Sequence, residues 1–238
     1  MGRGPSIEGR KNVEDAKRAK AFTKLIREIT IAARNGNDPA TNARLRTGID
    51  KALSANMTKD TIERAIKRGS GAEGADNMHE IRYEGYGPSG VALIIDAMTD
   101  NTQRTVADVR HALSKHGGNL GTSGSVAFQF HRTGELVVDT SKSGSEDKLL
   151  EVALDAGADD VQTTDSQSTV LCSPDHFETV KKALTAAGLT PLRADVAMRP
   201  ENRVTVSDEV AETLRDLIDW LEELDDVQEV YHNAALAG

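Results

Sequence analysis

Gly85-Tyr86-Gly87-Pro88-Ser89-Gly90 spells G-x-G-x-x-G, the pattern of a turn that holds the pyrophosphate of a dinucleotide. That chemistry needs a strand before the glycines and a helix after them, because the helix N-terminus supplies the donors and the positive dipole. Here Gly90 leads into Val91-Ala-Leu-Ile-Ile95, which reads as a strand. No acidic ribose ligand stands at the expected distance on the next strand end. The segment is therefore a turn between two strands, with Tyr83, Tyr86 and Gly87 forming a loop that can lie close to a ligand backbone.

The other chemical patterns fail in similar ways. Gly117-Gly-Asn-Leu-Gly-Thr-Ser-Gly-Ser125 follows a helix and precedes a strand, the reverse of a phosphate-binding P-loop, and lacks a Gly-Lys-Ser/Thr ending. Gly121-Thr-Ser-Gly-Ser125 also misses the G-x-S-x-G nucleophile pattern by one residue. His79, His111, His116, His131, His176 and His232 are scattered, without zinc-ligand spacing. Cys172, the single cysteine, reads as a buried strand position. Val126, Phe128 and Phe130 alternate onto one strand face, which predicts core packing rather than an RNA-stacking sheet. No catalytic constellation emerges, so the chain is expected to be no enzyme and to take no cofactor, metal or small-molecule substrate.

Charge carries the functional signal. The net charge of −9 divides into +8 for residues 1–70 and −17 for residues 71–238. A basic module joined to an acidic body predicts that polyanions are met through the N-terminal part. At about 100° per residue, Lys17, Lys20, Lys24 and Arg27 fall on one helical stripe opposite Phe22, Leu25, Ile26 and Ile29. The stripe lacks the alternating acids of a salt-bridged surface helix. Arg44, Arg46, Lys51, Lys59, Arg64, Lys67 and Arg68 add cations on the next two helices. Arg104, Asp108, His111 and Lys115 share one face of a later helix, flanked by Asn101 and Asn119. That face suits either RNA contact or plain solvation.

The elements that position these residues follow from periodicity and caps. Three helices are expected at 13–34, 42–55 and 58–68, with Leu45, Ile49, Ala52 and Leu53 inward on the second, and Gly69–Gly74 as a linker. Strands follow at 80–83 and 91–98, a helix at 103–115 and a strand at 125–131. Residues 134–200 read as β-α-β-β-α-β, the ferredoxin-like order, with a hairpin near Asp165 and a helix opened by Ser173-Pro174. A further helix runs from Ser207 to about Leu224, with Asp208 and Glu209 favourable in its first turn, and Val227–His232 is a last strand. The predicted fold is α+β: a basic helical domain (1–75), a middle α/β domain (76–133 plus 202–238), and an inserted ferredoxin-like domain (134–201). The longest apolar run is Val91–Ile95 and the first 30 residues hold no secretory signal pattern, so no membrane partner and a cytoplasmic location are expected.

Several blocks resemble the YebC-type family. They are Asp15–Thr30, Asn56–Lys67, Tyr83–Pro88, Thr99-Asp-Asn101 with Arg104-Thr-Val, Gly117–Gly121, and Gly124-Ser-Val126. The first ten residues depart from the family's commoner Gly-His-Ser-Lys-Trp opening, and Ser89 stands where glycine is frequent. The resemblance implies a helical N-terminal domain and two α/β domains with the third inserted. It also implies one of two activities. One is a non-enzymatic translation factor that binds the ribosome, through ribosomal RNA or tRNA, and supports synthesis through difficult stretches such as proline runs. The alternative is a DNA-binding transcriptional regulator using the same basic helices.

Overall fold

The computed structural model describes residues 7–71 and 77–236. The predicted linker residues 72–74, the predicted boundary at 75/76 and residues 1–6 of the atypical opening lie outside them. The chain is α+β and divides into two compact units. One takes the residues up to Gly90, Ile95–Thr122 and Ser207–Val230; the other takes Val91–Ile94, Ser123–Val206 and Tyr231 onward.

The first unit begins with three helices, α1 (Ile7–Ala32), α2 (Ala43–Ser54) and α3 (Lys59–Gly69). A 3-10 turn, Ala33–Asn35, tightens the end of α1, and Gly36 leaves it at φ 137°. Thr58 caps α3 as its side chain predicts, accepting from Thr61 N–H, and Asn42, expected as the first helical residue, is the cap of α2, accepting from Leu45 N–H. Ile29, Ala32, Ala33, Leu45, Ala52, Met57, Ile62 and Ala65 form the core of this bundle. Leu53, expected inside, is 42% exposed, because α2 turns the Leu45–Ala52 face inward and carries Leu53 past its edge. Gly69, expected as a helix stop, is the last residue of α3 and a packing glycine. A Cβ there would lie 2.0 Å from the carbonyl oxygen of Thr30.

Strands β1 (His79–Tyr86) and β2 (Ala92–Thr99), helix α4 (Thr102–Lys115) and the short β3 (Asn119–Leu120) come next. With helix α7 (Asp208–Glu223) and strand β9 (Val227–His232) they build a four-stranded sheet of order β3-β1-β2-β9. Helices α4 and α7 pack side by side, burying Val109, Ala112, Leu113, Leu214, Leu217 and Leu221. Strand β3 was not expected; it turns the glycine-rich stretch back onto β1, pairing Gly85 with Leu120 and Tyr86 with Asn119.

The second unit holds the ferredoxin-like order. Strand β4 (Phe130–Asp139), α5 (Ser145–Asp155), β5 (Asp160–Thr164), β6 (Gln167–Cys172), α6 (Phe177–Ala186) and β7 (Arg193–Pro200) make an antiparallel sheet of order β5-β6-β4-β7. Leu136, Val138, Leu149, Val170, Cys172, Phe177, Val180 and Leu184 form its core. Strands β8 (Val204–Thr205) and β10 (Ala234–Ala235) add a short parallel pair.

Two expectations change here. Residues 125–129 are not a strand: Ala127–Gln129 is a 3-10 turn, and β4 begins at Phe130 and runs unbroken through residues 133 and 134. With the period broken, Val126 and Phe130 are buried while Phe128 is 71% exposed. Phe128 is therefore not a core residue.

Candidate nucleic-acid interface

The cationic stripe of α1 forms on the face the periodicity assigns, and most of it is used inside the chain. Lys20 Nζ reaches the carbonyl oxygen (2.8 Å) and the carboxylate of Glu223, and Lys24 Nζ donates to the Glu222 carbonyl at 2.6 Å. Arg27 Nη1 donates to Met98 O, Asp225 O and Asp226 Oδ1, all at 2.8 to 2.9 Å. These groups cap the C-terminal end of α7, where unpaired carbonyls and the negative end of the helix dipole favour cations. Burial pulls the Lys24 pKa down against the acids around it, whereas the hydrogen bond from Lys20 pulls that of Glu223 down. Lys17 stays exposed.

Asp226, which sequence reasoning did not single out, is the centre of this contact. It is buried, 6% exposed, and accepts from Arg27, from Arg104 Nε and Nη2, and from Thr105 Oγ1 at 2.8 Å. Thr105 Oγ1 also lies 2.8 Å from Thr99 Oγ1, and Asn101 caps α4 by accepting from Arg104 N–H. The Thr99–Asn101 and Arg104–Thr105 block thus closes the α4 N-terminus and holds a buried carboxylate. The hydrogen bonds that Arg104 donates to Asp226 and Asp100 push its pKa up. A signal existed in Asp226 directly before the strand Val227–His232, where a buried acid demands a cation.

The other predicted loop residues also serve the fold. Tyr83 is half-buried in β1, and burial raises its pKa. Tyr86 ends β1, Gly87 is buried, and the turn Pro88–Gly90 packs against α7. A Cβ on Gly118 would lie 2.1 Å from Tyr86 O, and one on Gly85 2.8 Å from Asn119 O. The two glycine-rich segments approach each other's backbone. His111, exposed, packs edge-on to Trp220 at 5.9 Å between ring centroids.

The cations of α2 and α3 separate into two groups. Arg44 is clamped between Glu28 and Glu80; burial alone would lower its pKa, and the two hydrogen bonds raise it instead. Arg46 Nη1 donates to Pro39 O at 2.8 Å. Arg64 forms an exposed i, i+4 pair with Asp60. Lys51, Lys59, Lys67 and Arg68 are exposed, the last two in the final turn of α3. Helices α2 and α3 are joined by Ala55–Thr58, in which Asn56 adopts φ 63° and Met57 is buried. That is helix–turn–helix connectivity, with one residue in the left-handed region and a buried anchor. Among the described residues no helix is long and apolar enough to cross a membrane.

Residues 4–72 match the family described as the TACO1/YebC protein N-terminal domain, and residues 78–234 the one described as the TACO1/YebC second and third domain. A protein of Xanthomonas oryzae pv. oryzae (strain PXO99A), named a probable transcriptional regulatory protein, is 57% identical over 236 residues, covering 98% of this chain and 97% of its own. A Methylococcus capsulatus protein of the same description is 59% identical over 234 residues, covering 98% and 94%. The crystal structure of a conserved hypothetical protein from Aquifex aeolicus superposes with a TM-score of 0.84 at 43% identity, covering 94% of this chain and 93% of that one.

Proposed function

The chain belongs to the TACO1/YebC family, and from that premise we propose that it is a non-enzymatic regulatory protein that binds nucleic acid through α2 and α3. The observation that carries this reading is the helix–turn–helix of residues 43–69, whose outer surface presents Lys51, Lys59, Lys67 and Arg68. Exposed cations on a rigid helix pair gain affinity by releasing counterions from phosphates. The names of the relatives favour DNA and transcription as the setting.

A second reading, a cytoplasmic factor that acts in translation on ribosomal RNA or tRNA, has its own support. Neither α2 nor α3 contains Asn or Gln, and Arg64 is paired with Asp60. Such a surface contacts backbones better than base edges, which suits a structured RNA as well as a duplex.

The test is a combined charge reversal, Lys59→Glu with Lys67→Glu and Arg68→Glu, on the full chain. Binding to labelled genomic duplexes is followed by anisotropy with excess unrelated DNA, in parallel with co-sedimentation on ribosomes. Survival of duplex binding under competition supports the DNA regulator, and loss of it with retained, salt-sensitive ribosome association supports the translation factor. A folded variant that binds both unchanged overturns the interface.

A further inference from the structure

Trp220, the single tryptophan, is 41% exposed on α7. The imidazoles of His111 and His116 flank its indole edge-on, with ring centroids 5.9 and 5.4 Å away. This fixes the ring in place without covering it, the arrangement of an aromatic anchor rather than a core residue.

The helix around it is acidic. Helix α7 carries Asp208, Glu209, Glu212, Asp216, Asp219, Glu222 and Glu223 against one cation, Arg215. At about 100° per residue, Glu209, Glu212, Asp216 and Glu223 fall within about 80° of Trp220 on one side. The buried Leu214, Leu217 and Leu221 fall on the other side. All four acids are exposed. The outer face of α7 therefore reads acid–acid–acid–indole–acid along the axis. The chain itself demonstrates what such a face takes, since the ammonium of Lys20 already sits on Glu223 at its C-terminal end.

We propose that this face is a docking surface for a cationic polypeptide segment, with an arginine or lysine over Trp220 and further cations along Asp216, Glu212 and Glu209. An indole attracts a cation through its ring quadrupole, and carboxylates on the same face reinforce that attraction. Glu209, Glu212 and Asp216 in one stripe repel phosphates, so a nucleic acid is the wrong occupant here. The partner's cations run along α7. The regulator thus meets nucleic acid on one helix pair and a basic protein tail on another surface. This inference does not rest on which nucleic acid is bound.

The experiment titrates the full chain with a twelve-residue peptide of alternating arginine and glycine, following Trp220 emission. A saturable change that weakens with salt is expected. The double variant Glu212→Lys with Asp216→Lys, checked for an unchanged circular dichroism spectrum and Tm, is expected to weaken binding by about tenfold, as loss of two exposed attractions reinforced by repulsion implies. For Trp220→Ala the same loss is read by anisotropy of labelled peptide. No saturable change, or equal affinity in the folded reversal variant, overturns the proposal. So does a single-stranded oligonucleotide that perturbs Trp220 where the peptide does not.

Discussion

Arg27 Nη1 lies 2.9 Å from Asp226 Oδ1, joining two residues 199 positions apart. Both side chains are largely withdrawn from water, at 17% and 8% exposure. Arg104 and Thr105 complete the shell of the same carboxylate. A residue that reads as part of a nucleic-acid stripe is thus committed to fixing the helical bundle against the C-terminal end of α7. Lys51, Lys59, Lys67 and Arg68 of the same module stay exposed.

Breaking this pair should be costly because it leaves a buried charge short of its partners. Arg27→Ala is expected to destabilise the chain by about 3 kcal/mol, the low end for a buried pair, since Arg104 remains on Asp226. Lys20→Ala, which removes a far more exposed pair, should cost under about 1 kcal/mol. Urea denaturation of the two variants tests the ranking; equal and small losses would mean that the Arg27 contacts add little.

The same carboxylate gives the fold a signature in acid. Burial alone would raise the Asp226 pKa, but hydrogen bonds from Thr105, Arg27 and Arg104 outweigh it and hold the group below its ordinary range. A carboxyl depressed in the folded state stabilises fully above its unfolded pKa, about 3.9, and that stability is lost as pH falls through the folded value. The difference in stability between the wild type and Asp226→Asn should therefore shrink below about pH 4. Thermal melts of both proteins across the acid range check this, and a constant gap would reject it.

Local pattern carried the helices, the cap at Thr58, and the ferredoxin-like order, because each of these is written within a few neighbouring residues. What it could not carry was the destination of a face. The spacing of Lys20, Lys24 and Arg27 defines a stripe, but only the fold brings α7 to it. Period-two alternation likewise placed Phe128 with Phe130, whereas a 3-10 turn advances about 120° per residue and sends alternate side chains apart. The pairing of β3 with β1 rests on two residues, too short to leave a periodic trace.

The two phenylalanines give that lesson a direct test. Phe130 is 4% exposed at the start of β4, so Phe130→Ala should cost about 3–5 kcal/mol. Phe128→Ser, at a position 71% exposed, should change stability by less than about 0.5 kcal/mol. Chemical denaturation of both would separate the assignments, and a large loss from Phe128→Ser would restore it to the core.

Glycines in the helical bundle should respond in opposite directions to the same change. Gly48 lies inside α2, where an added Cβ would meet Ile29 Cγ1 at 3.4 Å, an ordinary contact. Gly48→Ala gains helix propensity and should stabilise by about 0.5–1 kcal/mol. Gly69 ends α3, where the same Cβ would lie 2.0 Å from the Thr30 carbonyl oxygen. That atom belongs to backbone at the end of α1, so α3 must move away to admit the methyl group. Gly69→Ala should therefore destabilise by about 2 kcal/mol, the overpacking penalty exceeding the propensity gain. Midpoints of urea unfolding give both signs in one experiment. If Gly69→Ala proved neutral, the close crossing of α1 and α3 would have to be wider than 2.0 Å implies.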